Sequence, residues 1–217
     1  MSAPPTATVG AVDGTSTPTL AAGLPTRAIG WVLAVGGAIG FLAAFVLTVE
    51  KITLLGNPSY IPTCSINPVL SCGSVMSTPQ AELFGFPNPL LGIAGFAMVL
   101  TAGMAVLSGA RPGRWFWLAL QLGTTAGAIF VHWLIFQSLY RIGALCPYCM
   151  VVWAVTIPVF WYTTLHNLQA GHLPVAGRAR RPVEVASQYH AVVLTGWALS
   201  VLALIGAEFW LFWTTLL

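Results

Sequence analysis

Apolar residues fall into five blocks along this chain, separated by shorter polar stretches. From Ala28 to Val49 there are 22 residues without a charge, which at about 1.5 Å per residue cross a hydrocarbon layer of about 30 Å. Further blocks run from Asn88 to Leu107, Trp115 to about Phe136, Cys146 to about His166, and Tyr189 to Leu217. The pattern predicts an all-α integral membrane protein with five transmembrane helices. Between the second and third blocks lies only Ser108–Arg114, with two arginines and a Pro-Gly, so those two spans are expected to be antiparallel neighbours. The connection Glu50–Pro87 is much longer and holds five prolines. A long stretch without periodicity is more often functional than idle.

The expected organisation is a disordered cytoplasmic tail over 1–26, a catalytic unit over 27–166 containing the loop 50–87, a cytoplasmic loop over 167–188, and a fifth span over 189–217. The tail is rich in Ala, Pro, Thr and Gly, and it lacks the basic start of a cleaved secretory signal.

Composition sharpens the picture. Only 13 of 217 residues are charged, 6% against about 25% in soluble domains, and 57% are hydrophobic. Mean hydropathy is +0.85. The net charge of +3 comes with scattered arginines and no basic stripe, so nucleic acid is not an expected partner. Those arginines orient the chain, because cytoplasmic loops hold the excess of positive charge. With the N-terminus inside, Arg27, Arg111, Arg114, Arg178, Arg180 and Arg181 are cytoplasmic, leaving Lys51 and Arg141 outside. The expected location is the cell membrane, multi-pass, with both cysteine pairs on the exported side, where disulfides persist.

The four cysteines form two close pairs, Cys64 with Cys72 and Cys146 with Cys149. Cys146-Pro147-Tyr148-Cys149 opens the fourth span, so its sulfurs share one face of a helix start. Unpaired amides and the helix dipole there favour a thiolate. Pro147 suits the first turn of a helix. A zinc half-site or a structural bridge is the plain alternative, although a spacing of eight is not usual for zinc. The loop pair alone reads equally as a static staple. Two dithiols on one membrane face point to a thiol-disulfide relay, in which electrons pass by thiolate attack through mixed disulfides. A relay needs an acceptor. The sequence has no flavin or nucleotide fingerprint and no helically spaced His pair for haem, which leaves a lipid-soluble quinone in the bundle.

Three runs carry a resemblance: Cys64-Ser65-Ile66-Asn67-Pro68-Val69-Leu70-Ser71-Cys72-Gly73, Leu83-Phe84-Gly85-Phe86-Pro87-Asn88-Pro89-Leu90-Leu91-Gly92, and Cys146-Pro147-Tyr148-Cys149. Together, over about residues 28–166, the chain resembles the vitamin K epoxide reductase family, bacterial branch. The resemblance implies a four-helix transmembrane bundle plus the fifth helix, with a quinone of menaquinone or ubiquinone type beside the CxxC sulfurs. It implies electrons arriving from an exported thioredoxin-fold disulfide-forming protein. Many bacterial members carry that partner as a fused domain; this chain resembles the actinobacterial type, with the partner in trans.

Carried over by position, Cys64 exchanges with the partner, Cys72 passes electrons to Cys146, and Cys149 faces the quinone. Asn88 matches the family's Asn at the start of the second span and would hydrogen-bond a quinone carbonyl; helix capping is its ordinary alternative. Trp153 stands where the vertebrate branch has Tyr, and could donate through its indole N–H, stack, or simply pack. Ser65 replaces a commonly acidic residue, which puts electrostatic tuning of Cys64 from that side in doubt. No metal site is expected.

Other residues carry smaller expectations. His132 is an intramembrane ionisable group, and Arg141 and Glu208 fit snorkelling at the exported interface. Gly36 with Gly40 and Gly123 with Gly127 fit close helix packing, and Pro158 fits a kink in the fourth span. Vitamin K or its epoxide as substrate is the nearest alternative function. The disulfide-bond formation protein B type places its CxxC in the first exported loop, unlike this chain. From other classes, a thiol-based metal transporter predicts cysteines across the span or on both faces, and a scaffold predicts bridges that do not exchange.

Overall fold

The computed structural model describes residues 26–173 and 180–214. The Ala-, Pro- and Thr-rich tail and Arg178 lie outside them, apart from Thr26. Eight α-helices are described: α1 (Thr26–Gly56), α2 (Cys72–Met76), α3 (Pro89–Leu107), α4 (Arg114–Gln137), α5 (Pro147–Gln169), α6 (Arg180–Gln188), α7 (His190–Glu208) and α8 (Trp210–Thr214). A 3₁₀ turn spans Pro79–Glu82, and a π turn, Ser138–Ile142, prolongs α4. Five helices are long and apolar enough to cross a membrane: α1, α3, α4 with its π turn, α5 and α7. The fold is all-α and integral to the membrane.

Three boundaries differ from the sequence expectation, each for a physical reason. The first helix runs on through Glu50 and Lys51 to Gly56; both charges find partners across the bundle, so they do not end it. The stretch after Gln137 is helical to Ile142 and stops at Gly143, whose φ of 68° suits glycine. Part of the expected 167–188 loop is helix, since α5 extends to Gln169 and α6 begins at Arg180.

The packing order also corrects the expectation for the second and third spans. Joined by a short turn, α3 and α4 barely touch; α3 packs along α1, α1 on α5, and α5 on α4. Glycine decides how close the first pair comes. A Cβ on Gly37 would sit 2.5 Å from the Leu100 backbone nitrogen, and one on Gly103 would sit 2.3 Å from that of Ala34. Gly40 meets Phe96 and Gly36 meets Val159, but Gly123 faces open space and Gly127 makes only ordinary contact. The expected small-residue pair on α4 therefore closes no interface. Ile29, Leu33, Val99, Ala102, Val106, Trp117 and Val159 fill one end of the bundle.

The fifth span is fastened by two hydrogen bonds. Trp197 Nε1 donates to His132 Nε2 at 3.0 Å, and Tyr162 Oη meets His190 Nδ1 at 2.9 Å. Ile205 and Phe209 complete the cluster built by Val131, Ile135 and Leu139. His132 thus ties α4 to α7, and Glu208 lies exposed at the end of α7.

Candidate active site

Backbone geometry brings the two cysteine pairs together. Residues 69–71 and 145 form an isolated parallel bridge: Leu145 N donates to Val69 O at 2.7 Å, and Ser71 N donates to Leu145 O at 2.8 Å. The bridge pairs Leu70 with Leu145, two residues before Cys72 and one before Cys146, and so brings Cys72 up to Cys146. Their sulfurs are 2.9 Å apart.

Local chemistry builds the loop ring. Asn67 Oδ1 accepts from Val69 N at 3.0 Å and Leu70 N at 2.7 Å, turning the chain around Pro68. Ile66 N donates to Leu70 O at 2.8 Å, closing the turn. Ser71 caps α2 by accepting from Ser74 N, and Ser65 Oγ accepts from Gly73 N at 3.2 Å. Ser65 thus links the Cys64 side to the start of α2, which needs an acceptor but no charge. Cys64 and Cys72 are disulfide-bonded.

Cys146 is the N-cap of α5, Pro147 takes the first turn, and Cys149 lies one turn in. Both cysteines are free thiols. Cys146, just outside the span, is held below the ordinary thiol range first by the neighbouring Cys149 thiol; burial opposes this, and the Cys149 and Tyr148 amides assist. The sulfurs of Cys64, Cys72 and Cys146 lie within 4.8 Å of one another, in a pocket closed by Leu47 and Met76 with Leu54, Val75 and Tyr148. Cys72 and Cys146 are fully buried, whereas Cys149 is partly exposed. The arrangement allows an in-place exchange: a Cys146 thiolate can attack Cys72, or the reverse, without either backbone moving far.

The model of the vitamin K epoxide reductase family matches residues 31–164, more than half of the chain and all four cysteines. The chain belongs to the vitamin K epoxide reductase family. Among curated proteins, no match is found. Membership makes this a multi-pass membrane oxidoreductase of thiol-disulfide and quinone chemistry.

In this family member, Asn88 stands at the N-cap position of α3, but its side chain works elsewhere. It makes no cap hydrogen bond; its Nδ2 donates to Gln80 O at 2.7 Å and its Oδ1 accepts from Leu83 N at 3.2 Å. The amide pins the loop to the start of α3, leaving its second N–H for any further acceptor. Trp153 is 3% exposed, packed with Val131, Ile135, Leu145 and Cys149. Its indole N–H is buried and has no hydrogen-bond partner among the described residues. An orphaned donor one helical turn beyond Cys149 fits a ligand oxygen. Grooves of about 340 Å³ between α1 and α5 and about 300 Å³ between α4 and α7 include no cysteine.

Two contributors escaped the sequence reading. The backbone of Val69 and Leu145 sets the sulfur register, and nothing in their side chains announces it. Glu50 and Lys51 were placed in the loop, yet both are buried on α1; two adjacent charges straight after an apolar span were the available signal.

Proposed function

We propose that this protein oxidises an exported thioredoxin-fold, disulfide-forming protein, passing electrons through Cys64 and Cys72 to Cys146 and Cys149 and then to a quinone of menaquinone or ubiquinone type. The observation that carries the reading is the 2.9 Å approach of Cys72 to Cys146 while Cys72 is still bonded to Cys64. A static staple needs no third sulfur at its buried end.

The exchange balances at each step. A thiolate of the reduced partner attacks Cys64, the Cys64–Cys72 bond breaks with its electron pair on Cys72, and the partner's second thiolate releases Cys64, leaving the partner oxidised. Cys72 thiolate then attacks Cys146 of an oxidised Cys146–Cys149 pair, expelling Cys149 thiolate; Cys64 closes on Cys72 and frees Cys146. The described state, loop bridged and CxxC reduced, is the one reached after that step. Cys149, the more accessible thiol of its pair, faces the quinone; the Cys146–Cys149 bond re-forms as the pair gives up two electrons and two protons, which reduce the quinone to the quinol. The Trp153 indole N–H would hold an oxygen of the bound quinone, and the spare N–H of Asn88 would serve as a second donor. Burial in lipid lets quinone load from the bilayer.

The arginine distribution supports a cytoplasmic N-terminus in the cell membrane, with the cysteine end facing the exported side. A soft-metal carrier is less well supported, because two of the three clustered sulfurs are bonded to each other and are not thiolate ligands. The test is quinone reduction by the full chain in detergent or liposomes with a reduced thioredoxin-fold donor. Wild type is expected to turn over, Cys149→Ala to be inactive, and Cys64→Ala to fail with the protein donor but not with a small dithiol. No reduction by wild type, or full turnover by both variants, overturns the reading.

A further inference from the structure

The last turns of α1 carry adjacent charges, Glu50 and Lys51, each 6% exposed, and each reaches a different flank of the loop disulfide. Glu50 Oε1 accepts from the hydroxyl and, at 3.3 Å, the amide of Thr63, the residue before Cys64. The Tyr60 phenol interacts with the same carboxylate, while Glu50 Oε2 is buried with no hydrogen-bond partner among the described residues. Lys51 Nζ donates to Met76 O at 2.7 Å and pairs with Glu82 at 2.7 Å. Met76 ends the five-residue helix that Cys72 begins.

These contacts are a poor way to gain stability. Burying a charge is costly, and well-packed apolar residues often do as well. What the pair supplies is placement. Leu47 and Leu54 touch the cysteine cluster, and Lys51 lies between them on the same face of α1. One turn of a rigid helix thus grips both arms of the Cys64–Cys72 ring.

We propose that Glu50 and Lys51 are positioning residues with opposed effects: Glu50 keeps Cys64 beside Cys72, Lys51 keeps Cys72 beside Cys146, and their balance sets which sulfur Cys72 bonds. The proposal rests on the relay reading. The exchange it governs has no net redox change. Cys146 thiolate attacks Cys72, the Cys72–Cys146 bond forms, the Cys64–Cys72 bond breaks with its electron pair on Cys64, and the proton lost from Cys146 is made up on Cys64. Without the Glu50 contact, the released Cys64 swings away and the Cys72–Cys146 bond is favoured. Without the Lys51 contact, α2 drifts from the bundle and the loop ring is favoured.

The test uses the full chain carrying Cys149→Ala, in which Cys146 cannot be resolved by its neighbour. After equilibration without partner or quinone, thiols are alkylated and the ratio of Cys72–Cys146 to Cys64–Cys72 linkage is read by non-reducing peptide mass spectrometry. Adding Glu50→Ala is expected to raise the ratio at least about threefold and Lys51→Met to lower it at least about threefold, as loss of about half a hydrogen bond's worth of bias would. Thr63→Val and Glu82→Gln lie outside the spanning helices and reproduce the same two directions more weakly; Glu50→Asp and Lys51→Arg recover part of the parent ratio. A merely structural role moves both ratios the same way or neither, and either result overturns the proposal. If even the Cys149→Ala parent forms no Cys72–Cys146 linkage, the relay reading itself falls and this proposal with it.

Discussion

The two ends of the bundle treat buried polar groups in opposite ways. At the end away from the cysteines, Asn167 is fully buried and fully paired. Its Nδ2 donates to Gln121 Oε1 at 3.0 Å and Trp117 O at 3.2 Å, and its Oδ1 lies 3.0 Å from His172 Nδ1. Gln121 Nε2 continues the network to Thr164 at 2.9 Å, and Arg114 Nε donates to His172 O at 3.1 Å. At the cysteine end, a reactive sulfur presses on a disulfide, and Trp153 Nε1 and Glu50 Oε2 lack partners among the described residues. The third such atom among the described residues, Trp161 Nε1, lies about two turns beyond Trp153 on α5. A closed network holds structure; open valences mark where a second molecule or a changed bond completes the set.

The largest expected break in this contrast is at Cys72. Cys72→Ala removes the sulfur that carries electrons from the loop to Cys146, so quinone reduction with the protein donor should fall more than about a thousand-fold, roughly 4 kcal/mol of barrier. Heat stability should fall by far less than unfolding would require. A variant that keeps even a tenth of its turnover breaks the assigned order of transfer. Asn167→Leu should do the reverse. It strands Gln121, His172 and the Trp117 carbonyl, each costing about 1–3 kcal/mol if unrelieved, so the thermal midpoint should drop by several degrees while turnover per folded molecule stays near wild type. Lost turnover at unchanged stability would mean that the far end is also part of the machinery.

Much of this architecture was legible because it rests on local signals. An uncharged run of 22 residues and a Pro inside CxxC are each read one segment at a time. What was hidden depends on pairs far apart in sequence. The bond from Ser71 N to Leu145 O spans backbone groups with no side-chain signature. Glu50 and Lys51 looked like the end of a helix because charges usually are; only Thr63, Met76 and Glu82 make them tolerable inside it. The α3–α4 neighbour relation failed because a short turn fixes proximity at one end only, and Gly37 and Gly103 draw α3 onto α1 instead. The cysteines were legible as a chemical set, but their pairing across the bundle is a matter of register.

Trp153 offers a finer test of the open end. Trp153→Phe deletes an N–H that has no partner among the described residues, so stability should hold to within about 1 kcal/mol, the packing change being modest. If the N–H is reserved for a quinone oxygen, kcat/KM for quinone should fall about tenfold, the worth of one hydrogen bond of about 1.4 kcal/mol. Transfer from the partner into the CxxC, followed by single-turnover thiol trapping, should be untouched. Equal losses in both half-reactions would make Trp153 a packing residue.

The smallest expected effect belongs to Tyr60, outside the spanning helices, at the rim of the same open end. Its phenol is held above the ordinary range first by its hydrogen bond to Glu50, then by burial and by repulsion from that carboxylate. The folded protein therefore binds this proton more tightly than the unfolded chain. The stabilisation is fully present below the unfolded value of about 10 and is lost as pH rises through the higher folded value. Phenolate absorbance of wild type minus Tyr60→Phe should isolate one tyrosine with a midpoint above that of a free phenol. Glu50→Gln removes the charge that opposes ionisation, and its own difference from the matching double variant should return toward the ordinary midpoint. An ordinary midpoint in the wild-type difference would place Tyr60 away from Glu50, leaving Thr63 alone to hold the Cys64 arm to α1.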